Sequence, residues 1–445
     1  MLFRFGFAFL ISVLSAGFLT ADEPDRPNII YIMLDDAGYG DFGAMGSQDV
    51  LTPAFDQMCR EGMRFTNHYS GSAVCAPTRC VLMTGLHTGH CRRRDNQSMA
   101  NREMADDRGL VFLKDEDVTV AEALQGAGYV TGGIGKWGLG NPGFPGSPDN
   151  QGFDYFLGYL DQVHAHDHYT DWLWLNGDRM ETGQRYSHYI FEDATLEFIR
   201  EHQEEPFFLY LPYCLPHGKY VIPDDDPALD HYRDKPWPDA VKNYAAMITR
   251  ADMTVERIVD LLEELEIDDN TIIFYTSDNG PNQQFVRPLT SNGPFQGIKR
   301  SLYEGGIRAG MAVQWPGHIP AESNSDFIWC MRDVFPTLCE LAGTQVPEGL
   351  DGISIATVLR GESGPEREHL YWEFPRKSQQ AVRMGNWKGL RFGTAGNLQL
   401  YDLTSDPGET NDVAAEHPSI VSRMEDIMRE SHVDSEFWPL KEKVN

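Results

Sequence analysis

Short, strongly hydrophobic runs alternate with helical patterns along most of the chain, and four of these runs end directly in unusual polar residues. This alternation is typical of a mostly parallel sheet that is covered by helices on both faces. The clearest helix pattern, about Asn243–Leu265, repeats apolar side chains every three or four residues and predicts a helix that covers the sheet. The predicted strands are Asn28–Leu34, Tyr129–Ile134, Pro206–Pro212, Thr271–Thr276 and Gly310–Trp315.

A smaller unit is predicted after the breaker-rich stretch Gly361–Glu366 (GESGPE). Strand patterns followed by one helix pattern, Pro418–Ser431, favour a small antiparallel sheet with a helix packed on it. The three strand patterns are His369–Phe374, Ala381–Phe392 and Leu398–Leu403. We therefore expect a main α/β domain at residues 22–362 and a small C-terminal α+β subdomain at residues 363–445.

The first 21 residues have the outline of a secretory signal peptide. Arg4 precedes the apolar run Phe5–Leu19, and the polar part of the chain begins after Ala21. An uncleaved membrane anchor is the alternative, because Leu19 stands where a smaller residue is usual before the cleavage point. No later run of about 20 apolar residues occurs. We expect an exported protein, periplasmic or secreted, without membrane association after cleavage.

The overall charge limits the partners. The chain has 37 Lys and Arg against 67 Asp and Glu, a formal net charge of −30 at pH 7, with a pI near 4.7. Such a field repels polyanions, so nucleic acid is not an expected partner. An anionic substrate would require a local group of cations that reverses the field.

Seven cysteines are present, and because seven is odd at least one is unpaired. Cys80 and Cys91 are close enough in sequence to form a disulfide, and so are Cys330 and Cys339. Several buried free thiols are an equally good interpretation.

Polar oxygen-bearing residues follow two of the predicted strands. Asp35 and Asp36 come directly after the first strand, and Asp278 and Asn279 follow Thr271–Thr276. Ligands of open α/β sheets bind beyond the carboxyl ends of the strands. Three carboxylates and one amide oxygen are hard ligands that suit Ca²⁺ or Mg²⁺. Taken singly, each pair has a simpler interpretation, as a helix cap or a turn.

A third polar segment is the block Cys75-Ala-Pro-Thr-Arg79. Pro77 suits the first turn of a helix, so Cys75 is predicted at the helix N-terminus, where backbone N–H groups favour an anion. Arg79 adds a permanent positive charge. On local chemistry alone Cys75 would be a reactive or disulfide-bonded thiol.

The block CAPTRCVLMTG closely resembles the signature of the formylglycine-dependent (type I) sulfatases, which belong to the alkaline-phosphatase-like superfamily. Further blocks occur in the order of that family, and together with LYDLTSDPGE at Leu400–Glu409 they cover nearly the whole mature chain. These blocks are LDDAGYGDFGAMG at Leu34–Gly46, GKWGLG at Gly135–Gly140, LPHGKY at Leu215–Tyr220, SDNG at Ser277–Gly280 and GIKRSLYEGGIR at Gly297–Arg308.

The resemblance implies a role for each matching residue. It implies that a separate maturation enzyme converts Cys75 to formylglycine. The residues implied to bind a divalent cation, usually calcium with magnesium as the alternative, are Asp35, Asp36, Asp278 and Asn279 together with the modified Cys75. Those implied to hold the sulfate group and handle protons are Arg79, Lys136, His217 and Lys299.

The resemblance also implies a reaction, the hydrolysis of sulfate monoesters. The hydrated aldehyde offers two hydroxyls on one carbon: by family analogy, one attacks sulfur and releases the alcohol, leaving a covalent sulfate ester. The second hydroxyl then expels sulfate and restores the aldehyde. A cation, two lysines and an arginine would neutralise the anionic ester. His217 is the candidate general acid, because imidazole titrates near neutral pH. A sulfated carbohydrate is the expected substrate, with arylsulfatase activity on small sulfate esters beside it.

One position departs from the family pattern. The lysine block usually carries a histidine two residues after the lysine, but here that residue is Gly138. A histidine-dense stretch contains His164, His166 and His168, whose alternation predicts one shared side of an extended strand. Our hypothesis is that His164 or His166 takes the missing place. A surface loop with no role in catalysis is the alternative.

Two other functions remain open at this point. A phosphodiester or phosphonate monoester hydrolase could use a similar metal site, because the superfamily interchanges these reactions. An inactive protein that binds sulfated glycans could keep the scaffold and an intact Cys75 thiol.

Overall fold

The computed structural model describes residues 26–97 and 111–443, so the predicted signal peptide, Met1–Ala21, lies outside the described residues. The strands are, in chain order, β1 Asn28–Asp35, β2 Met63–Phe65, β3 His68–Tyr69, β4 Val130–Lys136, β5 Tyr155–Tyr159, β6 Trp172–Leu175, β7 Asp178–Glu181, β8 Phe207–Pro216, β9 Thr271–Ser277, β10 Met311–Gln314, β11 Ser323–Ser325, β12 Trp329–Cys330, β13 Leu370–Phe374, β14 Gln379–Met384, β15 Trp387–Phe392 and β16 Gln399–Asp402. The α-helices are α1 Pro53–Glu61, α2 Cys75–Thr84, α3 Val120–Gly126, α4 Ser187–Glu201, α5 Pro227–Asp230, α6 Asp239–Glu264, α7 Gln283–Leu289, α8 Glu304–Ile307, α9 Val334–Leu341, α10 Ala356–Leu359 and α11 Pro418–Glu430.

Ten strands form one large mixed sheet in the order β11-β2-β10-β9-β1-β8-β4-β5-β6-β7. The five central strands, β9, β1, β8, β4 and β5 in that order, are parallel to one another. Antiparallel pairs occur toward both edges. All five strands that the hydrophobic runs predict belong to this sheet, and the predicted α/β architecture is confirmed.

Helices cover both faces of the sheet, and β1 contacts both layers. Its eight residues are all buried. Ile30 and Ile32 pack in one hydrophobic cluster with residues of α1, α4 and α6, whereas Ile29 and Tyr31 pack in another with residues of α2, α3 and α9. This explains the unbroken apolar sequence of β1, because successive side chains point to opposite faces and each face meets a helical layer.

The C-terminal part folds as a four-stranded antiparallel sheet, β13-β14-β15-β16, with α11 packed on it. One strand prediction was wrong in detail. The pattern Ala381–Phe392 is two strands, β14 and β15, joined by a turn at Gly385, whose φ of +54° lies in the left-handed region that glycine tolerates. Among the described residues no helix is both long enough and apolar enough to cross a membrane.

We expect the contact between α6 and the sheet to dominate the stability of the main domain. Ile258 is completely buried on α6, so Ile258→Ala should cost about 2–5 kcal/mol through lost burial and an unfilled cavity. Glu263→Ala, an exposed position on the same helix, should change stability by less than about 0.5 kcal/mol. Urea denaturation of the two variants checks this; equal midpoints would contradict the packing.

Candidate active site

The carboxyl ends of β1 and β9 bring four oxygen-bearing residues together. The two strands are parallel neighbours with Leu34 opposite Ser277, so the residues that follow each strand meet at one edge. The Asp36 backbone N–H donates to Asp278 Oδ1 at 3.0 Å, and Asn279 Nδ2 donates to Asp36 Oδ1 at 2.8 Å. Asp35, Asp36, Asp278 and Asn279 are each at most 1% exposed.

Asp36 holds an uncommon backbone conformation. Its φ is +73°, in the left-handed region, which costs a non-glycine residue about 1–3 kcal/mol and persists only where contacts fix it. Those contacts include Asn282, whose Nδ2 donates to Asp36 Oδ2 at 2.8 Å and lies 3.4 Å from the hydroxyl of Tyr220. Neither Asn282 nor Tyr220 was predicted from the sequence as a site residue. The only signal for Asn282 was its position three residues after Asn279.

Cys75 is the first residue of α2 and lies among these groups. Its Sγ is 3.2 Å from Asp35 Oδ1 and 3.4 Å from Lys299 Nζ. Burial, and then the negative charge of Asp35, raise the pKa of the Cys75 thiol to about 12. An unmodified Cys75 is therefore a neutral thiol at physiological pH and a poor nucleophile.

Three cations surround the carboxylates. Lys136, the last residue of β4, places Nζ 2.5 Å from Asp35 Oδ2, and Lys299 Nζ is 2.5 and 2.6 Å from the two Asp36 oxygens. Arg79, one turn into α2, donates to the Lys136 carbonyl at 2.7 Å and lies 3.4 Å from both Asp35 and Asp278. The three side chains are nearly or fully buried.

These charges divide the carboxyl groups into two kinds. Burial alone would raise the pKa of Asp35 and of Asp36, but the ammonium groups of Lys136 and Lys299 respectively hold both pKa values below the usual range. Asp278 has only the longer Arg79 contact, and burial and then the Asp35 charge raise its pKa to about 8. The carboxylates are thus ordered by how closely a cation approaches each of them.

The residues fit a divalent cation. Asn279 Oδ1 is buried and has no hydrogen-bond partner in the described part of the chain. An amide oxygen that can coordinate a metal ion is therefore left unsatisfied beside three carboxyl groups. Two overlapping groups of residues place their donor atoms within 4.8 Å of one another. One group is Asp35, Asp36 and His217, and the other is Asp35, Cys75 and Asp278. Oxygen donors of this kind favour Ca²⁺ or Mg²⁺.

Two histidines stand beside the carboxylates. His217 Nε2 is 3.4 Å from Asp36 Oδ2, and the side chain is 13% exposed. Burial, and then the charge of Lys299, lower the pKa of His217 to about 3, so its ring is neutral in the free protein. The ring of His166 lies 4.5 Å from that of His217 at an interplanar angle of 72°.

The predicted extended strand for the three histidines was wrong. His164–His166 forms a single 3₁₀ turn, so these side chains diverge instead of sharing one side. The His164 ring shares a hydrogen bond with the Thr170 hydroxyl (2.7 Å) and packs at a tilt of 41° against Trp172. His168 is buried and bonds to the His217 carbonyl at 2.9 Å. Of the two hypothesised replacements, only His166 adjoins the site.

Gln162 lies against Gly138, the position where the family pattern usually has a histidine. Gly138 has φ +82°, and a Cβ added there would fall 1.8 Å from Gln162 Nε2. Gln162 therefore occupies the space next to Gly138 that a larger side chain would need.

All seven cysteines are buried and free in the structure, and the Cys80 and Cys91 thiols are hydrogen-bonded neighbours. Cys214 is buried at the end of β8, and burial raises its pKa to about 12.

Comparison with known proteins identifies the family. The sulfatase family model matches residues 27–344, and a model for the C-terminal part of N-sulphoglucosamine sulphohydrolase matches residues 295–434. The chain belongs to the sulfatase family. This confirms the predicted family, and the sulfatase is accordingly a sulfuric ester hydrolase.

The similarity extends over most of the chain. The sulfatase is 32% identical over 391 residues to an arylsulfatase of Hemicentrotus pulcherrimus, covering 82% of this chain and 67% of the relative. It is 29% identical over 493 aligned positions to an N-acetylgalactosamine-6-O-sulfatase of Bacteroides thetaiotaomicron, covering 91% and 92%. The crystal structure of Ps i-CgsB in complex with k-i-k-neocarrahexaose superposes with a TM-score of 0.83 at 27% identity, covering 94% of this chain and 95% of that one.

We expect Ca²⁺ to stabilise the sulfatase and EDTA to lower its melting temperature, because a bound cation satisfies Asn279 and the carboxylates in the folded state only. At a free concentration 100 times the Kd the gain is about 2.7 kcal/mol. Asp278→Asn should weaken binding at least tenfold, measured by calorimetry. Asp260→Asn, which changes an exposed carboxylate on α6, is the matched control. Indifference of the wild type to both reagents would refute a metal site.

Proposed function

We propose that this sulfatase hydrolyses sulfate monoesters through a formylglycine derived from Cys75, assisted by a divalent cation, with calcium as the first choice and magnesium as the alternative. The observation that carries the proposal is the position of Cys75 Sγ, 3.2 Å from Asp35 Oδ1 and 3.4 Å from Lys299 Nζ. The signature cysteine thus adjoins both the carboxylates that would hold a cation and a cation that would hold a sulfate oxygen.

Each added group has a defined place and chemistry. Asp35, Asp36, Asp278 and Asn279 would hold the cation, which supplies positive charge against the sulfate oxygens. The formylglycine at position 75 would supply, in its hydrated form, a hydroxyl nucleophile and a second hydroxyl on the same carbon. A separate maturation enzyme would make it, as the family resemblance implies.

The cations of the chain provide the electrostatic part of catalysis. In the free protein Arg79, Lys136 and Lys299 lie against the carboxyl groups of Asp35, Asp36 and Asp278. A bound divalent cation therefore makes the centre net positive even with all three carboxyl groups ionised, which suits an anionic ester. Buried groups at fixed positions interact strongly with developing charge, because little water screens them. This centre provides the local reversal of field that a chain with a net charge of −30 requires.

His217 is the proposed proton donor to the departing alcohol oxygen. With its pKa lowered to about 3, the free imidazole is neutral and carries one N–H. A bound anionic ester opposes the effect of Lys299 and favours the protonated ring. We propose that His166 assists His217 in place of the histidine absent at Gly138, since its ring lies 4.5 Å away.

The proposed substrates are sulfated carbohydrates, with small aryl sulfates as accessory substrates. The support is the named activity of a relative, N-acetylgalactosamine-6-O-sulfatase, together with the similarity to Ps i-CgsB, whose structure is in complex with k-i-k-neocarrahexaose. We further propose export to the periplasm or medium after cleavage near Ala21, and a catalytic domain at residues 22–362 with a subdomain at residues 363–445.

We expect matured wild-type protein to hydrolyse aryl sulfates and Cys75→Ala to lose activity by at least about 10⁴-fold, because the nucleophile is absent. Val74→Ala, which changes the buried neighbour, controls for packing around the start of α2. Rates measured in parallel on aryl phosphate, phosphodiester and phosphonate esters distinguish a sulfatase from the alternative, a phosphodiester or phosphonate monoester hydrolase. A faster reaction with those esters would make the chain a phospho- or phosphonate-ester hydrolase, and sulfated-glycan binding without turnover would make it an inactive binding protein.

The two histidines of the 3₁₀ turn give a matched pair of variants. His166→Ala should lower kcat by about 10²–10⁴, the usual contribution of a group that transfers protons, and should alter the pH profile of kcat. The kcat of His164→Ala should stay within about threefold of wild type, because the His164 ring hydrogen-bonds to Thr170 and packs against Trp172. Normal turnover by both variants would remove the histidine hypothesis.

A further inference from the structure

A cleft of about 240 Å³ lies between the main domain and the C-terminal sheet, outside the site described above. Asn67 and Arg308 contribute from the main domain, and Arg383 and Asn386 contribute from β14 and the turn after it. The cleft is smaller than the roughly 300–1,000 Å³ of sites that hold drug-sized ligands, so its volume suits a small ion.

The charges around this cleft do not balance. Glu304 accepts hydrogen bonds from Lys388 Nζ (2.8 Å) and Arg308 Nη1 (2.7 Å), and Arg383 Nη1 lies 3.7 Å away. Lys388 is also 3.5 Å from Glu409. Three cations, Lys388 and Arg383 buried and Arg308 largely so, therefore face two carboxyl groups. Burial raises the pKa of Glu409 to about 7, which reduces its negative charge near neutral pH. A buried net positive charge is costly unless a counter-ion reaches it.

Both arginines that line the cleft have an unused donor group. Arg308 donates through Nε to the Thr66 carbonyl and through Nη1 to Tyr69 and Glu304, and Arg383 donates through Nε to the Gly385 carbonyl and through Nη1 to the Tyr69 hydroxyl. Neither Nη2 has a hydrogen-bond partner within residues 26–97 and 111–443. The two side chains are only 11% and 4% exposed, so the cleft is where a partner can reach them.

We propose that this cleft binds one small tetrahedral oxyanion, free sulfate, between Arg308 and Arg383. Guanidinium groups bind oxyanions through forked N–H donors, and the bound charge would offset the excess of cations. Glu304 also lines the cleft, but its oxygens already accept bonds from Tyr69, Arg308 and Lys388. The site would tie the C-terminal sheet to the main domain whenever sulfate is present. The inference does not rest on turnover, because binding is measured without substrate.

The test measures sulfate binding to three forms of the full chain: wild type, Asn386→Asp and Asn386→Gln. Chloride keeps the ionic strength constant as the sulfate concentration changes. Asn386 is exposed on the lining, so Asn386→Asp adds a competing charge without disturbing the core, and Asn386→Gln is the neutral control. We expect equilibrium dialysis with labelled sulfate to show, beside any binding at the active site, one further site that Asn386→Asp weakens at least tenfold and Asn386→Gln preserves. Aryl sulfate kcat/KM should be the same in all three. Sulfate should raise the melting temperature of wild type and Asn386→Gln more than that of Asn386→Asp.

Crystals soaked in selenate locate the ion independently of any variant. An anomalous peak within hydrogen-bond distance of Arg308 and Arg383 is the expected result. Equal sulfate affinity in all three forms together with no peak in the cleft would overturn the proposal. An equal melting-temperature rise with acetate in place of sulfate would overturn the assignment to a tetrahedral oxyanion.

Discussion

Two close charge pairs determine what the rest of the candidate active site can do. They are Lys136 with Asp35 and Lys299 with Asp36. Separating buried charges from water costs several kcal/mol per ion, and only close, hydrogen-bonded partners repay that cost. Because Lys136 ends β4 and Asp35 ends β1, this pairing also depends on the order of the strands β4-β8-β1 in the sheet. Fold and charge balance are therefore mutually dependent.

The same pairing leaves one part of the site incomplete. Asp278 lacks a close cation, and its pKa of about 8 reflects burial beside Asp35. Asn279 Oδ1 lacks any hydrogen-bond partner among the described residues. Asp278 and Asn279 both follow β9, and a divalent cation bound there would supply positive charge to Asp278 and a partner to Asn279 Oδ1. The carboxylates on the β1 side are paired with the lysines that face Cys75, so the proposed metal and sulfate sites would adjoin.

The sheet and the site were predictable because they depend on strong, local signals. Continuous apolar runs identified the central strands, and the polar residues directly after two of them, Asp35-Asp36 and Asp278-Asn279, meet because parallel neighbouring strands end at the same edge. The sequence contains no comparable pattern that predicts contacts between distant segments. Asn282 reaches Asp36 only because the chain turns after β9, and the turn at Gly385 divided a segment that its hydrophobicity presents as one strand.

The histidine stretch shows the limit of periodicity. An alternating pattern of three histidines fits a strand, but the backbone between β5 and β6 makes a 3₁₀ turn, so only His166 is directed toward His217. Tertiary packing decided the conformation, and the sequence pattern alone could not distinguish His164 from His166. The cysteines differ, since the close spacing of Cys80 and Cys91 did predict neighbours: the two side chains are hydrogen-bonded to each other as free thiols in the structure.

Mass spectrometry of the peptide that contains Cys75 tests the central claim most directly. The protein should be produced in a host that has a formylglycine-generating enzyme, and again in one that lacks it. The account predicts an aldehyde in place of the thiol in the first preparation only, with aryl sulfate turnover rising in proportion to the converted fraction. Full turnover from a preparation whose Cys75 is entirely thiol would contradict it.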